Sequence, residues 1–164
     1  MARIFNFSAG PATLPLPVLK EVQADLLDYH GEGMSLMEMS HRSKTFDSII
    51  KESEQLAKDV FEIPNGYKVL YMQGGATFQF AAVPLNLLTD LGSADYINTG
   101  SWSKKAIQEA EKLGKNINVI GSSEDKNFNY IPKSYTINPQ AEYVHITSNN
   151  TIFGTQWSTF PETG

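Results

Sequence analysis

The stretch that most restricts the possible folds is Tyr67 to Leu88, YKVLYMQGGATFQFAAVPLNLL, where a short apolar run breaks at Gly74-Gly75 and resumes as a longer one. Lys68 to Met72 is rich in Val, Leu and Tyr and lies between Asn65-Gly66 and the glycine pair, the flanks of a buried strand. From Thr77 the apolar pattern outlasts a strand, with Phe78, Ala81, Ala82, Leu85 and Leu88 on one side and Phe80, Val83 and Leu87 on the other. It predicts a helix apolar nearly all round, buried on more than one face in a large core or at a subunit interface. A glycine turn that opens a helix presents unpaired N–H groups at the positive end of the helix dipole. Gly75, Ala76 and Thr77 are therefore candidate ligands of a phosphate or carboxylate. The run matches neither GxGxxG nor the P-loop pattern, and a glycine pair alone is more often a plain connection.

The same grammar recurs downstream. Ala94 to Asn98 is short and β-favouring, Gly100-Ser101-Trp102 follows, and SKKAIQEAEKLG predicts a charged helix with Ala106, Ile107, Ala110 and Leu113 inward. Asn116 to Ile120 reads as a further strand. Ser122 to Gln140 is mostly loop with one short strand around Tyr130, Glu142 to Thr147 is a fourth strand, and Ser148 to Thr151 is its exit loop. Strands alternating with helices argue for an α/β fold, a mostly parallel sheet with helices on both faces.

Upstream, Phe5 to Pro17 concentrates Gly and Pro and is expected to lie extended as an arm. A helix starts near Pro17, with Val18, Val22 and Leu26 on one face, and Gly31 and Gly33 close it. Gly33 to Ser43 has no clean period. Ser43 or Thr45 caps a helix carrying Phe46, Ile49, Ile50, Ser53, Leu56, Ala57 and Val60, which ends before Pro64-Asn65-Gly66.

With 41% hydrophobic residues, 164 residues suffice for one domain with a core. A formal net charge of -5 and a pI near 5.1 argue against nucleic acid as a partner. Without cysteine there is no disulfide framework or thiolate metal site, and no metal is expected. The start ARIFNFSAG lacks a signal peptide's apolar stretch, and no run approaches the ~20 residues of a membrane-spanning helix. The chain reads as cytoplasmic.

Ligands of parallel sheets sit beyond the carboxyl ends of the strands. Three exit loops are expected there: Gln73 to Thr77 with backbone amides, Thr99 to Trp102 with an indole face, and Ser148 to Thr151 with a hydroxyl. Together they suit a planar aromatic ligand that carries a phosphate, although Trp102 alone is more often a core anchor and Thr151 a helix cap. His41-Arg42 ends an apolar loop, where the guanidinium fork suits a carboxylate or phosphate and equally a surface salt bridge.

Taken together, FNFSAGPATLP, MEMSHRS, YKVLYMQGGATFQFAAVPLNLL, ADYINTGSWSKKA and NNTIFGTQW resemble the phosphoserine aminotransferase family, in the family's order and from Ile4 onward. The resemblance implies pyridoxal 5'-phosphate enzymes of the aspartate-aminotransferase fold type. They are homodimers that exchange an amino group between glutamate and 3-phosphohydroxypyruvate, giving phosphoserine and 2-oxoglutarate, in serine biosynthesis and in some bacteria also pyridoxine biosynthesis. Carried over by position, Ala76 and Thr77, next to Gly75, hold the cofactor phosphate through their amides, Trp102 stacks on the pyridine ring, and Thr151 bonds its phenolic oxygen. His41 and Arg42 meet the substrate's distal phosphate or carboxylate. Some members have Gly and Arg at the positions of Ala76 and Thr77, and a backbone contact survives both changes. Family chains are longer and carry, past this stretch, an aspartate for the ring nitrogen, the Schiff-base lysine and a carboxylate-binding arginine. The expectation is an arm at 1–16 and, at 17–164, the N-terminal part of the large domain, with no catalytic residue of its own. The alternatives are a non-catalytic phospho-ligand binding fragment and a purely structural piece.

Overall fold

The computed structural model describes residues 3–8 and 12–163. The chain forms two compact units, Met1–Tyr71 and Met72–Gly164.

In the first unit, helix α1 spans Leu16–Ala24 with a proline in its first turn, where the missing N–H costs nothing. It ends at Asp25, whose N–H bonds the Glu21 carbonyl, and not at the glycines. Gly31 and Gly33, at φ 84° and 74°, belong to the following turns, where Asp28 takes the Gly33 N–H at 2.8 Å. A short acidic side chain that binds nearby backbone competes with helix continuation. A 3-10 turn at Leu36–Glu38 follows, closed by a reciprocal bond pair between Ser35 and Glu38. Helix α2, Lys44–Val60, is capped by Ser43, whose Oγ accepts the Phe46 N–H at 3.1 Å.

The strand expected over Lys68–Met72 is absent. The segment has no ladder partner, and Leu70 and Met72 are 73% and 61% exposed. β-favouring side chains make a strand only where another strand takes up the backbone groups. Among the described residues none runs beside this one.

The second unit runs α3 (Gly75–Leu87), β1 (Ser93–Asn98), α4 (Ser101–Lys112), β2 (Asn116–Ser122) and β3 (Ala141–His145). A hairpin of β4 (Asn149–Asn150) and β5 (Thr155–Gln156) stands where a plain exit loop was expected. The sheet has the order β2-β1-β3 and is parallel throughout, with Tyr96 opposite Val119 on one side and His145 on the other. Alternation along β1 turns Ala94 and Tyr96 to one face. There Ala106, Ile107 and Ala110 of α4 and Leu88 close a buried core, with Phe80, Ile117 and Tyr143 packed against it. The alanines let α4 approach the sheet closely.

The Tyr96 and Tyr143 hydroxyls meet at 2.7 Å, and burial pushes both phenols above their ordinary pKa. On the other face, buried Asp95 accepts from the Asn138 N–H at 2.7 Å and from Asn118 Nδ2 at 3.1 Å. Those bonds satisfy a buried carboxylate and tie the long loop to the sheet.

No strand forms at Tyr130. Asn127 and Phe128 just before it take φ 50° and 59°, which a strand excludes, and Tyr130 donates to Asp125 at 2.7 Å. Burial of α3 also falls short of expectation. Only Ala82 and Pro84 are buried, while Phe78, Leu85 and Leu87 are 46%, 57% and 59% exposed. Within this unit α3 packs mainly on α4 among the helices, and with Phe80 turned to the core and to His145 the side chains of Phe78, Leu85 and Leu87 remain partly in solvent. No helix among the described residues is long and apolar enough to cross a membrane.

Candidate functional site

Helix α3 opens at Gly74, which takes the left-handed conformation at φ 89°. A Cβ there would stand 2.5 Å from the Cβ of Phe78, so the turn admits no other residue without movement. Gly75 also has positive φ, 58°. The first-turn amides of Gly75, Ala76 and Thr77 lack intrahelical acceptors, as at any helix start, and all three residues are exposed.

The β1–α4 loop is built from polar groups. Ser103 Oγ accepts the N–H groups of Thr99 and Gly100 at 2.8 and 2.9 Å and lies 3.2 Å from Asn98 Oδ1. This arrangement caps α4 from inside and fixes the first turn that carries Trp102. The Trp102 indole N–H donates to Thr151 Oγ1 at 3.1 Å, linking this loop to the β4–β5 turn.

A third wall comes from β3 and its exit. His145 stacks on Tyr96 with ring centroids 4.9 Å apart and meets the edge of Phe80 at 6.4 Å. Burial pushes its imidazole below the ordinary pKa. His145 Nδ1 and Thr147 Oγ1 are buried with no hydrogen-bond partner among the described residues, an arrangement that costs free energy unless a ligand or water supplies one.

These walls enclose one cavity of about 400 Å³, lined by Ala76, Thr77, Phe80, Trp102 and the stretch from His145 to Ser148. Of the residues picked from the sequence, Ala76, Thr77 and Trp102 share it. Gly75 stands at the adjoining helix start, and Thr151 joins through its bond to Trp102. His41 and Arg42 lie in the other unit, both exposed. His145, Thr147 and Phe80 were not among the sequence candidates. The alternation in EYVHIT, which puts Tyr143, His145 and Thr147 on one face, was the available signal.

The residues present fit a flat ring bearing a phosphate. Ala76 and Thr77 in the first turn of α3 line the cavity, Trp102 offers a stacking surface, and the unpartnered Thr147 hydroxyl supplies a polar contact. The volume lies in the range of small-molecule sites.

Residues 4–164 match the model of the family described as aminotransferase class-V. The chain is 59% identical over 162 residues to a phosphoserine aminotransferase of Desulfatibacillum aliphaticivorans, covering 99% of this chain and 45% of that protein. It is 60% identical over 161 residues to one of Desulfosudis oleivorans, at 98% and 45% coverage. Among solved structures it is similar to the phosphoserine aminotransferase from Bacillus circulans subsp. alkalophilus, with TM-score 0.91 and 46% identity over 99% of this chain and 45% of that one. It is also similar to the PLP-bound phosphoserine aminotransferase from Trichomonas vaginalis, with TM-score 0.89 and 33% identity over 98% and 46%. The chain spans about half the length of the curated relatives it matches.

Proposed function

Because the chain belongs to the class-V aminotransferase family, we propose that it is the N-terminal part of a pyridoxal-phosphate transaminase acting on phosphoserine and 2-oxoglutarate. The carrying observation is that Ala76, Thr77 and Trp102, singled out from the sequence for a phosphate and a flat ring, line one cavity. The Ala76 and Thr77 amides hold the phosphate at the positive end of α3. Trp102 sets the plane of the ring, and Thr151 reaches the ring's oxygen. When bound, the cofactor supplies the electron sink for the transfer of the amino group. This chain's share is to bind the cofactor, orient it and keep water off one face. His41 and Arg42 read the substrate's distal anionic group through charge-assisted bonds. The same reading makes the complete enzyme a cytoplasmic homodimer of serine biosynthesis, and the exposed apolar face of α3 is consistent with burial in a larger assembly.

A second reading holds for residues 1–164 taken alone. Among the described residues no lysine lines the cavity, which favours a phospho-ligand binding fragment without chemistry.

Tryptophan fluorescence of the complete protein titrated with pyridoxal phosphate, and separately with pyridoxal, tests the site. Quenching that saturates with the phosphorylated form and needs at least about tenfold more pyridoxal supports the amide cradle. Equal affinity for both, or no quenching, rejects it.

A further inference from the structure

Trp102 and Thr151 come from loops far apart in sequence, yet a single hydrogen bond sets them side by side. The bond has a direction. An indole N–H can only donate, so Thr151 Oγ1 accepts and its own proton stays free for an acceptor on a ligand. Two side chains on two loops do not hold such an alignment unless the loops themselves are fastened together.

The fastening is Asn150. It is 3% exposed, and its Nδ2 donates to the Thr99 carbonyl. Its Oδ1 accepts the Phe153 N–H at 3.4 Å, and its backbone carbonyl accepts the Gly154 N–H at 2.7 Å. One side chain thus shapes the turn that carries Thr151 and grips the loop that leads to Trp102. Gly100 is the other half of the joint. Its backbone lies at φ 153° and ψ -164°, a region open essentially only to glycine, and a Cβ there would overlap the Asn150 amide group. The amide fills the space that a side chain at Gly100 would take.

We propose that Asn150 is a positioning residue, which with Gly100 locks the β4–β5 turn to the β1–α4 loop so that the Thr151 hydroxyl and the Trp102 ring address one ligand together. The proposal rests on the cofactor reading above. Asn150 touches no ligand itself; it acts through Thr151 and Trp102. A merely structural clip would make the hairpin more stable without changing what those two residues present.

The test uses the complete enzyme with pyridoxal phosphate bound, comparing wild type, Asn150→Ser, Gly100→Ala, Thr151→Val and the Asn150→Ser/Thr151→Val pair. Thermal midpoint, cofactor dissociation constant and the absorption maximum of the bound cofactor are read for each. Asn150→Ser and Gly100→Ala are each expected to weaken cofactor binding about tenfold, the loss of one buried hydrogen bond. Both should move the absorption maximum in the direction Thr151→Val moves it. Adding Thr151→Val to Asn150→Ser should cost at most about twofold more, since coupled residues do not add. Variants that lower the thermal midpoint while leaving the absorption maximum and affinity unchanged overturn the proposal alone, as do losses that multiply in the pair. Should Asn150→Ser fail to fold, Gly100→Ala reads the same joint from its opposite side with the same outcomes. A wild-type protein that binds no cofactor overturns the reading of the site, and the proposal with it.

Discussion

Arg42 has an exposed side chain and no acidic partner among the described residues; only its backbone N–H is engaged, by Ser40 Oγ at 3.2 Å. A guanidinium without a carboxylate is available to an anionic substrate. In the complete enzyme Arg42→Ala should therefore lower kcat/KM for the phosphorylated substrate by roughly 1.5–3 kcal/mol, the value of a charge-assisted bond, and leave the bound-cofactor spectrum alone. Unchanged kinetics with that substrate reject the role. His145 makes a different kind of prediction. Its folded pKa lies below the ordinary value of 6.5 because burial disfavours the charged ring. The unfolded chain therefore binds the proton first as pH falls, and stability is lost from about that ordinary value down through the folded one. His145→Phe removes this loss, so its unfolding midpoint should fall less steeply than that of wild type between neutral pH and pH about 5. Parallel curves for the two proteins would falsify the assignment.

A strand and a connection can be tied by one side chain, and Glu142 does so at the start of β3. Its carboxylate accepts the Thr89 N–H at 2.8 Å and the Thr89 hydroxyl at 2.6 Å, joining β3 to the link between α3 and β1. The hydroxyl first and the amide second hold its pKa below the ordinary carboxylate value. With the folded value depressed, this contribution is present above the unfolded pKa and is lost as pH falls through the folded one. Glu142→Gln should lower stability at neutral pH and flatten the acid limb of a pH-dependent denaturant midpoint. An acid limb as steep as the wild type's argues against the tie. Elements of this kind divide by how local their causes are. β1 and α4 were legible because Ala106, Ile107 and Ala110 recur at helical spacing next to a β-favouring run. The start of α3 at Gly75 was legible because a glycine pair stands directly before a run with helical spacing. Lys68–Met72 misled, since its composition records a preference for pairing and nothing about whether a neighbour is present. The wall formed by His145 and Thr147 was hidden because alternation tells which residues share a face, not whether that face meets packing or a cavity.

At the scale of the whole molecule, one compact unit gathers in a single cavity the residues proposed to hold a cofactor's phosphate and ring, and those 164 residues either do chemistry by themselves or only bind. Transamination needs an amine that can bond the cofactor's carbonyl carbon and then carry the substrate's proton. Among the described residues the cavity wall supplies hydroxyls, an imidazole, an indole and amides, and no lysine. Three amines of the same unit are held elsewhere. Lys104 pairs with Glu124 at 3.0 Å on the solvent side of α4, Lys112 pairs with Glu109 at 2.7 Å, and Lys115 donates to the Leu88 carbonyl at 2.9 Å. His145 could take a proton, but a buried neutral imidazole forms no stable bond with the cofactor. A purified, mass-verified 1–164 chain with pyridoxal phosphate, phosphoserine and 2-oxoglutarate should accordingly turn over no faster than the free cofactor, and borohydride reduction should leave no covalent label on it. The same chain should still show saturable tryptophan quenching by the cofactor, because the cradle and Trp102 belong to one compact unit. Turnover well above the free cofactor, or a label recovered on Lys104 or Lys105, would show that α4 swings an amine into the cavity and that the fragment is an enzyme in its own right.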